Sequence, residues 1–208
     1  TMVVGQAGAG TLDVLAGAVV RTGIGLVGDQ AGGVGSIRVD GPGSQWISTG
    51  FTGIGFLGAG ELTIGNGGAV QAQDVLVDSN GKLSGVGTIT GNLLNGGTVI
   101  AGAAGSIGTL QVSGDYEQLT GGFLDIEIGG FANDHVDLLA VGTATLDGIL
   151  RLRLLAGTVP AVNVALTATS VSGQFDNVVN GQRLTTVDGF GSFIVNYGPG
   201  SAFNPNQV

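Results

Sequence analysis

Residues 3–20 read VVGQAGAGTLDVLAGAVV, and residues 53–70 read GIGFLGAGELTIGNGGAV. The two align without a gap at an offset of 50. Gly5/Gly55, Gly8/Gly58, Ala9/Ala59, Gly10/Gly60, Leu12/Leu62, Gly17/Gly67 and Val20/Val70 are identical, while Val4/Ile54 and Val14/Ile64 are conservative pairs. Half-way between stands GVGSIRV, Gly33 to Val39, with the same small-residue lead and apolar–x–apolar finish. The series continues as GVGTIT from Gly85 and GTLQV from Gly108, which places the glycine before each strand at 10, 35, 60, 87 and 108. One unit thus recurs every 21–27 residues, a spacing that belongs to stacked repeats.

Each unit ends in a short alternating stretch: Leu12-Asp13-Val14, Ile37-Arg38-Val39, Leu62-Thr63-Ile64 and Leu110-Gln111-Val112. Side chains alternate across a strand, so the apolar pair is expected inside and Asp13, Arg38, Thr63 and Gln111 outside. Asp40-Gly41, Asn66-Gly67, Asn80-Gly81 and Asn95-Gly96 are expected to turn the corners with positive φ. No window carries a capped 3.6-residue apolar period. A sandwich of hairpins is the all-β alternative, but equivalent short strands at this period fit a right-handed parallel β-helix, a β-solenoid, better.

Beyond residue 113 the texture changes. GDYEQLTGGFLDIEIGG and DHVDLLAVGTATLDGILRLRLL carry longer alternation, through Phe123, Leu124, Ile126 and Ile128, then Leu146, Leu150, Leu152 and Leu154. The chain divides into a repeat region, 1–113, and a C-terminal stem, 114–208, without the two being independent domains. Antiparallel strands in the second part are expected to close the solenoid, because an open end exposes unpaired backbone.

Glycine fills 43 of 208 positions against a usual ~7%, so any glycine motif must be weighed against chance. GIGLVG, Gly23 to Gly28, fits the dinucleotide fingerprint G-x-G-x-x-G, with Asp40 placed as a ribose acid. GIGFLG, Gly53 to Gly58, fits equally well, with Asp74 as its acid. The fingerprint needs a helix opening at its last glycine to hold the pyrophosphate. Turns and strands follow both copies, so neither is taken as a cofactor site.

The net charge of −9, with six scattered Lys and Arg, argues against nucleic acid or an anionic membrane as partner. No apolar run is long enough to span a membrane as a helix. Without cysteine there is no disulfide framework, zinc–thiolate site or thiol nucleophile. No signal peptide is read at Thr1-Met2 and no anchor after Val208, so the chain is expected to be part of a longer one.

The repeats around VVGQAGAGTLDVLAGAVV, GLVGDQAGGVGSIRVDGPGSQWIS and GELTIGNGGAV resemble those of type V-secreted and PEP-CTERM-associated surface proteins. LSGVGTITGNLLNGGTVIAGAAGSIGTLQVSGDYEQLTGGFLDIEIGG and DLLAVGTATLDGILRLRLL resemble the C-terminal stem of bacterial autotransporter passengers, and FIVNYGPGSAFNPNQV the segment before a membrane barrel or sorting tail. The resemblance implies a β-helical passenger on the bacterial cell surface, whose C-terminal turns fold first and template the rest as an autochaperone. It implies an adhesin or matrix role, with a host or neighbouring-cell surface, glycan or matrix component as partner. A self-assembling extracellular filament, joined through the solenoid ends, and a polysaccharide-active β-helix enzyme are the alternatives.

Chemistry-bearing residues are few. His135 is the sole histidine, flanked by Asp134 and Asp137, but no G-x-S-x-G elbow accompanies it; it reads as a surface loop residue. Asp125 and Glu127 share one strand face and read as a solvated acidic row rather than a glycosidase pair. Arg151 and Arg153 are the only clustered basic residues, and no acid–base set surrounds them. GGFANDHV, Gly129 to Val136, is one substitution from a calcium nonapeptide but lacks a stacked second copy. Trp46 reads as core filler rather than a sugar platform. No catalytic, cofactor-binding or metal-ligating residue is assigned, and no cofactor is expected.

Overall fold

The computed structural model describes residues 1–129, 136–156, 159 and 161–208. Among them every regular element is a strand. The chain winds into a β-solenoid of seven turns, each contributing to three parallel faces. The first turn sets the pattern with Met2–Val4, Ala9–Leu15 and Val19–Thr22. The second follows with Gly25–Val27, Val34–Asp40 and Gln45–Ser48, paired in parallel on the first.

Stacking in register turns the alternation of each strand into columns of like residues inside the coil. On the second face the column runs Leu12, Ile37, Leu62, Leu83, Val99, Leu124, Leu150. On the third it runs Val20, Trp46, Val70, Ile89, Val112. All are buried except Leu12 and Val20 of the first turn, which have a neighbouring turn on one side only. Asp13, Arg38 and Gln111 lie exposed and Thr63 half-buried between the buried positions, as the alternation requires.

The columns correct the register of the repeat. Gly10, Gly35, Gly60 and Gly81 are stacked partners, and the next turns place Gly97, Gly122 and Gly148 one residue ahead of Thr98, Phe123 and Ile149. Gly87 and Gly108 precede strands of the third face instead, at Thr88 and Thr109. The steps from the third to the fourth turn and from the fourth to the fifth are shortened, to 21 and 16 residues between stacked glycines. That contraction moved the apparent series onto a different face. The corner expectation holds in part: Asn66, Gly67 and Gly41 have positive φ, whereas Gly81 and Gly96 do not. Gly81 is glycine for space, since a β-carbon there would strike the carbonyl of Ile54.

The ladders cross residue 113 without interruption, through Leu93–Tyr116 and Val99–Leu124. Among the described residues the one antiparallel strand pair comes at the C-terminal end, while single antiparallel bridges also join Ala103 to Ser106 and Ile128 to Val136. Arg183–Thr185 and Ser192–Ile194 form a hairpin, and Gln207 bridges back to Thr167. This cap closes two faces of the last turn. On Ile149–Leu154 the Asn177 amide mimics a peptide: its Oδ1 accepts from Leu150 N at 3.1 Å and its Nδ2 donates to Leu150 O at 2.8 Å. Val187 N donates to Leu152 O, and Leu154 N donates to Asp188 at 3.0 Å. On the third face Val208 exchanges backbone bonds with Leu166. Phe175 and Tyr197, packed edge to face at 5.5 Å, plug part of the core's end.

Candidate functional site

The glycine fingerprint belongs to the coil. Gly25 opens a strand of the first face, and Gly28 turns the corner at φ +69°, where a β-carbon would strike the backbone of Ala59 and Gly60. No helix follows Gly28 or Gly58; strands begin at Val34 and Ala59. Asp40 is engaged by Arg38 and, at 2.7 Å, by Asn66 Nδ2. Asp74 accepts from Asn92 Nδ2 at 3.0 Å on the next turn. Trp46 is fully buried, with its indole N–H on Thr22 Oγ1 at 3.4 Å.

One corner of the solenoid departs from the minimal turn. Where the second face passes to the third, the connection is only a few residues long at 16–18 and 41–44 but lengthens to 101–108 in the fifth turn, and in the next two turns the described strands end at Ile128 and Leu154 and resume at Leu138 and Leu166. Insertions stacked at one edge of a repeat fold are the usual carriers of its function. This corner also gathers the most perturbed acidic group of the described chain.

Asp137 and Glu127 meet there. Asp137 is fully buried; its Oδ1 accepts from Gly108 N at 3.0 Å and its Oδ2 from Glu127 N at 2.9 Å. Glu127 is 7% exposed and takes the N–H of Gly105 on both oxygens, at 3.0 and 2.7 Å. The two carboxylates thus clamp the 101–108 loop, whose glycines let the backbone come this close: a β-carbon on Gly102 would overlap Asp137 Oδ1. Burial pushes the Asp137 carboxyl up to about 7, against the opposing pull of its two backbone donors and with a further rise from the Glu127 charge. Glu127 is therefore not part of a solvated row. The loop that covers it is long enough to fold over the outward strand face, which alternation alone does not register.

Asp125, two residues earlier, stays on the half-exposed outer face. Arg151, its register partner on the next turn, donates to it through Nε at 2.5 Å and Nη2 at 2.9 Å. The same guanidinium lies 4.1 Å above the centroid of the Phe123 ring. Arg153 is exposed on the strand next to Glu127 in register. Beyond it Asp188 is held below the usual carboxylate range, first by the Thr186 hydroxyl and then by the Phe190 amide. His135, Asp134 and most of GGFANDHV lie outside the described residues.

The structure therefore brings Asp125, Glu127, Asp137 and Arg151 to one edge, and each is engaged with another turn, a loop or both. Among the described residues no three His, Cys, Asp or Glu side chains converge as a metal site. Sequence reasoning missed the clamp and the cap residues Asn177 and Asp188. The signal for the clamp was the glycine spacing of AGAAGSIG, residues 101–108, opposite two acids in the next turn. Comparison of the chain with known protein families, with curated proteins and with solved structures finds no match.

Proposed function

We propose that the chain is a non-enzymatic stem segment of an exported bacterial surface protein, of the β-helical passenger type its sequence resembles. The observation that carries this reading is the use of its charged side chains. Asp125 and Arg151 bind one turn to the next, and Glu127 and Asp137 hold an inserted loop against its neighbour. Chemistry that an enzyme would aim at a substrate is directed along the coil.

Seven turns at ~4.8 Å each form a stalk of roughly 30 Å. Stability in such a stack is mainly a sum of neighbour contacts, so a closed terminal turn can seed the growth of the rest. The C-terminal cap supports a templating part for the last turns. Surface display tests the reading. Fused ahead of an outer-membrane translocation barrel, the whole chain is expected to reach the cell surface and resist protease there. A variant lacking residues 175–208 is expected to reach it protease-sensitive. Failure of the intact fusion to be displayed, or robust turnover of a glycan, peptide or nucleotide lost with one carboxylate, overturns the proposal.

A further inference from the structure

The described residues leave the C-terminal end of the solenoid core incompletely filled. Between the last turns and the cap lies a cavity of about 690 Å³, within the ~300–1,000 Å³ range of small-molecule sites. Its floor is the core itself: Ile128, Leu150 and Leu152, each at most 4% exposed. Around its mouth stand Val162, Ile194 and Phe203, exposed by 62%, 55% and 62%. Single exposed apolar side chains are ordinary, but three around one opening that leads into a core mark a binding surface.

One charged side chain stands among the described lining residues. Arg183 is the register partner of Ile194, and its Nη1 donates to Ser192 Oγ at 2.9 Å and to Ser192 O at 3.2 Å. Those bonds hold the guanidinium beside the opening. The ion pairs among the described residues employ Arg38, Lys82 and Arg151, so Arg183 has no carboxylate partner there. No acidic side chain appears among the described lining residues, although the chain as a whole carries a net charge of −9.

We propose that this cavity binds the aliphatic chain of a free fatty-acid-class carboxylate, with Arg183 holding the anionic head. The occupant follows from charge complementarity and from the lining. A planar guanidinium pairs with a carboxylate through two parallel hydrogen bonds. An unbranched acyl chain buries its methylenes against the apolar floor of Ile128, Leu150 and Leu152, where a hydroxyl would find no partner, while Asn196, Asn204 and Gln207 also line the cavity. Binding here is independent of the stem reading, since it requires only the cap.

Calorimetric titration of the whole chain with octanoate, decanoate and dodecanoate, below their micellar concentrations, tests the proposal. One site per chain is expected, with affinity rising about fourfold per added methylene. Decanoate is expected to bind at least tenfold tighter than decylammonium. Arg183→Gln is expected to bring decanoate to the level of decan-1-ol, and Phe203→Asp, at an exposed position, to weaken both without unfolding the chain. Circular dichroism verifies that each variant is folded. Absence of saturable decanoate binding, an unchanged preference in folded Arg183→Gln, or binding only to phosphatidylglycerol vesicles would each overturn it.

Discussion

Gly25 and Trp46 compete for one space: the indole of Trp46 lies where a side chain on Gly25 would begin. The two sit on different faces of the second turn, and the missing β-carbon lets the largest core residue point fully inward. Gly25→Ala is therefore expected to destabilise the fold by ~1–3 kcal/mol through overpacking. In a Trp46→Leu background the same change should cost markedly less, because the clash is gone. Gly23→Ala, where nothing approaches within 4 Å, is the control and should be nearly neutral. Urea unfolding followed by circular dichroism measures all four. An equal cost of Gly25→Ala in both backgrounds would refute the steric account.

That pair also shows what could be read from the chain and what could not. The self-alignment at an offset of 50 and the alternation of Leu12-Asp13-Val14 sufficed for a parallel solenoid, because period and face are local properties of a repeat. The register of the later turns was hidden because the steps into the fourth and fifth are shortened, so equal spacing no longer means equal position. Glu127 looked exposed for a related reason: alternation says which way a side chain leaves its strand, not whether a loop from the preceding turn lies on top of it. The cap was expected as a need, to cover open edges, but Asn177 and Asp188 gave no periodic signal. A single amide that substitutes for a strand has no pattern to repeat.

The clamp at Asp137 predicts a definite pH response. Its carboxyl is raised from the usual carboxylate range to about 7 by burial. Below the unfolded-state value both states are protonated and the group contributes nothing to the pH slope. As pH rises from about 4 to 7 the unfolded chain releases its proton first, so this group makes the fold progressively less stable, and the loss levels off above 7. The total is on the order of 4 kcal/mol if Asp137 alone is responsible. Asp137→Asn should abolish that slope. It should also lower stability in acid by ~1–3 kcal/mol, since its amide group must face one of the two donors, Gly108 N or Glu127 N. Equilibrium unfolding at intervals from pH 4 to 8 is the measurement; a wild-type slope retained in Asp137→Asn would assign it to another group.

Arg151 joins three things at once: the Asp125 carboxylate, the Phe123 ring and two successive turns. Lysine at 151 keeps the charge but loses the planar fork and much of the ring contact. Arg151→Lys is expected to cost about 1 kcal/mol, a modest figure because both partners are partly solvated. A double-mutant cycle with Asp125→Asn should give a coupling of the same order that diminishes in high salt. Additive single effects would mean that the pair contributes no coupling.

Assembly is the last consequence of the cap. The strand Ile149–Leu154 would be an exposed edge able to pair with another chain, yet Asn177, Val187 and Asp188 occupy its backbone groups. The intact chain is therefore expected not to grow filaments through this end, even at high concentration. Asn177→Ala leaves Leu150 N and O without their partners and should destabilise by about 1–3 kcal/mol. Removal of residues 175–208 uncovers the edge entirely and should convert the protein into concentration-dependent, end-joined particles. Light scattering with electron microscopy at rising concentration distinguishes the outcomes. If the shortened chain stays folded and monomeric, the cap has no protective role and the edge must be blunted by something intrinsic to the last turn.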